Sequence, residues 1–325
     1  MKLLTILIIV IALLGAKKTT PCFDKSNSAL LKAILPFFII LHHVVKMPEF
    51  QTLGTYVVAL FFFMSGYGLE YKRTGTSVYS IGEIGSRITK LITPIVVPLI
   101  LYVVLRWCTE EVSFKFIVDS LRSYELILPY SWFVLTLLQL YLIFYIVNNL
   151  CQKAAVCHRF PIVILAVITF YIAVLFVCRV QSTYYCSLYG FVVGIFYKDF
   201  EPRVPQIKRI ALIGVILLLL SQLIIELHPP MTMFYNSWIY TIACALVFSA
   251  ISLRNKIVDF FSEISYEIYL CQGISIYSLR CVGITNDTLG GVILIILISV
   301  ILALVCHRLT DMLFHRNPFY INRKR

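Results

Sequence analysis

The chain has 325 residues, of which 60% are hydrophobic and only 14% charged, against roughly 45–50% and about 25% in a soluble domain. That excludes a large water-soluble domain and implies a polytopic membrane protein. The net charge of +12 reads as the lysine and arginine excess of cytoplasmic loops rather than as a nucleic-acid footprint, because no basic helix with interleaved aromatics stands out.

Residues 3–16 form an apolar run between Lys2 and Lys17. Fourteen residues rise about 21 Å as helix, short of a bilayer core of about 30 Å. The run reads as a short extra helix, tilted or interfacial, with a cleaved signal peptide as the other option. Residues 1–27 are therefore set apart as an N-terminal hydrophobic segment and linker, and residues 28–325 as one membrane domain.

Ten candidate spans follow: 31–48, 54–70, 89–107, 130–149, 161–178, 183–197, 209–227, 236–253, 262–281 and 288–307. The expected fold is all-α, a bundle of about ten transmembrane helices. Positive charge marks alternate connections, with Lys25 and Lys32 before the first span, Lys72, Arg73, Arg87 and Lys90 before the third, and Lys198, Arg203, Lys208 and Arg209 before the seventh. The intervening connections are poor in cations or carry acids, such as Glu110, Glu111, Asp119 and Glu125. The positive-inside rule then places Lys32 and the C-terminus in the cytoplasm of a multi-pass cell-membrane protein. Pro94 and Pro98 should bend the third span. The ten cysteines are scattered singly with no C-x-x-C pair, so no metal site is expected.

Two polar groups in the first span stand out. Lys32 and His43 are 11 residues apart, three helical turns plus about 20°, so they share a face with a rise of about 16 Å. His42 points about 100° away and reads as a packing neighbour. A neutral imidazole in an apolar run can accept a proton from a hydroxyl and pass it on. Arg87 and Lys90, three apart, share a helix face and can clamp a phosphate. Ser65, in Phe63-Met64-Ser65-Gly66-Tyr67, lacks a G-x-S-x-G elbow and reads first as a packing or positioning group, second as a nucleophile. Trp132, Tyr266 and Gln272 add polar or aromatic groups to later spans and are candidates for substrate contact.

In order, these stretches resemble the acyltransferase-3 family of integral membrane acyltransferases. The resemblance is carried by Lys32 with His43, the Phe63–Tyr67 run, Arg87 and Lys90 before Pro94, Trp132-Phe133-Val134, the Leu188–Gly194 stretch and Ile264–Leu270. It implies a ten-helix bundle with both ends cytoplasmic. It also implies transfer of an acyl group, usually acetyl, from cytoplasmic acyl-CoA to a hydroxyl of a glycan or lipid-linked sugar on the far side. Lys32 and His43 then occupy the catalytic positions, and Arg87 and Lys90 the coenzyme A phosphate contact. Lysine stands at Lys32 and Lys90 where arginine is commoner, which gives up the bidentate fork, and Gln272 stands where histidine is frequent. The competing reading is a transporter or flippase built on the same kind of bundle. That reading requires inverted repeats, and none is visible in the sequence.

Overall fold

The computed structural model describes residues 2–14, 16–17, 22–47, 50, 52–75, 80–109, 114–122, 127–201, 212–221, 232–284 and 288–315. The acids Glu110, Glu111 and Glu125, the cations Arg203, Lys208 and Arg209, and the end of the C-terminal tail lie outside them. In chain order the helices are α1 (Lys2–Leu14), α2 (Lys25–Val44), α3 (Leu53–Gly75), α4 (Ile81–Ile92), α5 (Val96–Thr109), α6 (Phe114–Arg122) and α7 (Trp132–Lys153). They continue as α8 (Phe160–Val177), α9 (Tyr189–Phe200), α10 (Leu212–Ser221), α11 (Thr232–Ser249), α12 (Lys256–Glu263), α13 (Ser265–Cys281) and α14 (Leu289–Thr310). The described residues outside the helices add one antiparallel pairing, Ala16 with Ser252 and Lys17 with Ile251.

Six helical stretches among the described residues are long and apolar enough to cross a membrane: α2, α3, the α4–α5 run, α7, the α8 region and α14. The protein is thus a multi-pass membrane helical bundle. The other four expected spans correspond to α9, α10, α11 and α13, which are shorter or more polar as described. The 183–197 run shows why. Its first residues form the 3-10 turn Ser182–Tyr184 and further turns, so only 12 residues, Tyr189–Phe200, are α-helical. Hydropathy registers apolar residues whatever their backbone does. The expected bend in the third span is a 3-10 segment, Thr93–Ile95, carrying Pro94 and separating α4 from α5.

Local chemistry fixes α2. The Asp24 carboxylate accepts from the backbone amides of Ser26 (2.8 Å) and Asn27 (3.2 Å), and the Asn27 side-chain oxygen accepts in return from the Asp24 amide, which closes a capping box. The Asn27 side-chain nitrogen then donates to the carbonyls of Phe248 (2.6 Å) and Ile251 (2.8 Å), tying the start of α2 to the end of α11. Pro36 lies inside α2 and lacks an N–H, so the carbonyl of Lys32, four residues back, loses its intrahelical partner.

Glycine sets the centre of the bundle. A Cβ at Gly190 would collide with the Ala59 carbonyl, one at Gly194 with the Phe63 carbonyl, and one at Gly66 with the Phe191 carbonyl. Helices α3 and α9 therefore pack backbone to backbone, as small residues allow in membranes. Around this crossing lie the buried rings of Phe62, Phe63, Phe144, Phe160 and Phe191, and Leu4 and Ile8 of α1 join the same core. The ten cysteines are all free, and among the described residues no three His, Cys, Asp or Glu side chains converge as a metal site.

Candidate functional site

A cavity of about 330 Å³ opens among α2, α3, α4, α7 and α13. Its walls include five residues singled out from the sequence: Lys32, Ser65, Arg87, Lys90 and Tyr266. Three cations thus reach one cavity from two helices, and Lys32 and Arg87 are near enough to repel one another. Among the described residues, no aspartate or glutamate lines it. Like charges gathered on one cavity wall in an apolar bundle are costly, and although Glu83 on α4 lies near enough to attract Arg87, the cost is further offset when an anion enters.

Arg87 is half-buried and spends one of its five N–H donors on the Gly68 carbonyl at 2.7 Å, which anchors α4 to α3. The Tyr141 hydroxyl, on α7, contacts both Arg87 and Ser65. Lys90 is exposed at the cavity mouth. The Tyr266 ring lines the cavity, but its hydroxyl is committed to the Leu91 carbonyl at 2.9 Å. Tyr266 therefore offers an aromatic face rather than a hydroxyl donor.

His43 stands one layer beyond the cavity. Its ring stacks on Tyr130, with centroids 3.8 Å apart and planes 20° from parallel. The Tyr130 carbonyl accepts from the Tyr269 hydroxyl, and the Tyr269 ring lines the cavity. A chain of contacts, Tyr269 to Tyr130 to His43, thus joins the cavity to the imidazole. Tyr130 belongs to a turn before α7 in which two non-glycine residues, Ile127 (φ 68°) and Tyr130 (φ 64°), adopt left-handed backbone. Such conformations are costly for L-residues and persist where the surroundings enforce them.

His42 is held differently. Its Nδ1 lies 2.7 Å from the Phe50 carbonyl, and a carbonyl only accepts, so Nδ1 carries the proton. The rest of the ring presses on Gly54 of α3, where any Cβ would collide with it. His42 is therefore a structural contact between α2 and α3, as its direction on the helix had implied.

The two remaining candidates lie outside the cavity wall. Trp132 packs edge-on against Tyr184, with centroids 5.2 Å apart. Gln272 is fully buried, one turn beyond Tyr269 on α13, and among the described residues neither its Nε2 nor its Oε1 has a hydrogen-bond partner. Leaving a buried amide unpaired costs about 1–3 kcal/mol per group. Sequence reasoning missed Tyr130, Tyr141 and Tyr269. Their aromaticity gave no signal, because the chain has 20 tyrosines and their importance comes from contacts distant in sequence.

A family model described as an acyltransferase domain (acyltransferase-3) matches residues 27–308. No curated protein and no solved structure matches the chain. The matched stretch takes in every residue of the cavity and of the His43 contact chain, and the chain belongs to the acyltransferase-3 family of membrane acyltransferases.

Proposed function

We propose that the protein moves an acyl group, typically acetyl, from acyl-CoA to a hydroxyl of a cell-surface glycan or lipid-linked sugar, with His43 as general base. The observation that carries this reading is the cavity with Lys32, Arg87 and Lys90 in its wall and, among the described residues, no carboxylate there. Such a cavity suits the diphosphate of coenzyme A. Arg87, already anchored to Gly68, presents fixed donors, and the two lysines act as point charges. Oriented by the positive charge around Lys32, the cavity faces the cytoplasm of the cell membrane.

The pantetheine arm then runs along the α2 face from Lys32 toward His43, about 16 Å further on. The acceptor hydroxyl meets it there. The hydroxyl oxygen bonds to the thioester carbonyl carbon while His43 takes the hydroxyl proton. The carbon–sulfur bond breaks, and coenzyme A leaves as a thiolate that is protonated by the His43 imidazolium. Proximity and general base catalysis each supply orders of magnitude of rate. Ser65, against Tyr141, serves as a positioning group in this direct transfer. Gln272 and Trp132 are assigned to acceptor contact, Gln272 because its amide has both donors and acceptor to give.

The test is coenzyme A binding by the purified protein in detergent or nanodiscs. The Arg87→Ala, Lys90→Ala double variant should bind at least about tenfold more weakly, since each charge-assisted contact is worth roughly 1.5 kcal/mol or more. Unchanged affinity would return both cations to a purely topological role.

A further inference from the structure

A second cavity, about 730 Å³, adjoins the first, and Ser28 and Met64 line both. It is lined by three further cations, Lys25, Lys198 and Arg254, and by Tyr67 and Tyr71 of α3. We propose that this cavity is the subsite for the phosphorylated adenosine end of the acyl donor, with Lys25 and Lys198 facing the ribose phosphate and Tyr71 stacking on the base. The inference rests on the reading of the first cavity as the acyl-CoA site and extends it to residues outside that cavity.

The α2 helix supplies the geometry. Lys25, Ser28, Lys32 and His43 fall on one stripe, because Lys25 and His43 are 18 residues apart, five turns and about 27 Å. Lys25 and Ser28 line the second cavity, Ser28 and Lys32 line the first, and His43 lies beyond it. An extended ligand with its thioester toward His43 and its diphosphate at Lys32 therefore has its remaining end in the second cavity.

The charges there favour a phosphate. Two carboxylates, Asp24 and Glu201, also line the cavity, but both are engaged within the protein. Asp24 caps α2 through the Ser26 and Asn27 amides, and Glu201 accepts from the Phe23 amide and from the Tyr67 hydroxyl at 2.8 Å. Lys198 lies 3.5 Å from Glu201 and Arg254 3.0 Å from Asp259, so each cation is held in place by one acid. Lys25 occupies the first residue of α2, where a cation opposes the helix dipole. That placement adds positive potential where an incoming anion gains from it. Lys198 also stands 5.0 Å from the Tyr71 ring centroid and 5.8 Å from that of Tyr67. Tyr71 is 61% exposed, leaving its ring accessible to a flat heteroaromatic base.

The discriminating probes are coenzyme A and 3′-dephospho-coenzyme A, which differ by the single phosphate assigned here, with affinity measured on the full-length protein in nanodiscs of neutral lipid. Wild type should bind coenzyme A about tenfold or more tightly than the dephospho form, the size of one charge-assisted phosphate contact. The Lys25→Gln, Lys198→Gln variant should bind both forms equally, at the wild-type affinity for the dephospho form. Lys25→Arg, Lys198→Arg should restore the preference and confirm that the variants fold. Equal affinities in wild type, or a preference that survives in the glutamine variant, overturns the subsite while leaving the first cavity's reading intact. Failure of wild type to bind either form overturns both. Loss of the preference only when anionic lipid is added marks the cavity as a lipid-headgroup site and also overturns the assignment.

Discussion

Replacing Tyr130 with glycine should separate folding from activity. Tyr130 holds a left-handed backbone, φ 64°, that costs an L-residue about 1–2 kcal/mol and glycine almost nothing. Against that relief stand the stack on His43, worth about 0.5–1.5 kcal/mol, and the greater unfolded-state freedom of glycine, about 0.5–1 kcal/mol. The half-buried ring also packs against the cluster formed by α2, α13 and α14, and losing that packing adds a further cost, so the variant should fold but be less stable than wild type. The imidazole, however, loses the surface that fixes its ring plane, and a misplacement of about 1 Å in a reacting group can cost about a hundredfold in rate. The assay pairs the apparent melting temperature of the purified variant with transfer of radiolabelled acetyl from acetyl-CoA to isolated membranes. The expected result is a lowered melting temperature that still leaves the variant folded at the assay temperature, and transfer per folded protein reduced about tenfold or more, with Tyr130→Phe, which keeps the ring, close to wild type in both. Full activity in well-folded Tyr130→Gly would refute the positioning argument, and equal losses of fold and activity would reduce the turn to scaffold.

Other perturbations probe the scaffold and the cavity separately. Gly190→Ala places a methyl against the Ala59 carbonyl, backbone on backbone, and should cost several kcal/mol, read as loss of folded protein in detergent; a normally folded variant would contradict the described α3–α9 crossing. Asn27→Ala leaves the carbonyls of Phe248 and Ile251 without their side-chain donor and should destabilise by about 2–4 kcal/mol at roughly 1–2 per buried bond, visible as a lowered thermal midpoint. Tyr141→Phe removes the hydroxyl that contacts Arg87 and Ser65. It should raise the KM for acyl donor a few-fold with kcat little changed, and an unchanged KM would detach Tyr141 from the donor site.

The membrane bundle was legible from composition, and the shared face of Lys32 and His43 from helical arithmetic. Convergence of Arg87 and Lys90 on Lys32 was reached through resemblance alone, since no spacing rule joins residues some 55 positions apart. Lys25 was read as topology-setting charge. Its place on the same stripe, two turns before Lys32, gains meaning only once the second cavity is seen. Tyr130 and Tyr269 escaped because one acts through a turn that folds back onto α2 and the other through a hydroxyl aimed at that turn. Counting apolar residues identified the 183–197 run but not its turns, and for the same reason its α-helix is only 12 residues long.

The most direct test of the central claim is acetyl transfer from radiolabelled acetyl-CoA to membrane glycans by wild type and by His43→Gln at matched protein level. Glutamine keeps polarity and approximate size but cannot take up the hydroxyl proton. The account predicts that His43→Gln binds coenzyme A as wild type does and transfers acetyl at least about a hundredfold more slowly. Undiminished transfer by His43→Gln would contradict it and remove His43 from the chemistry.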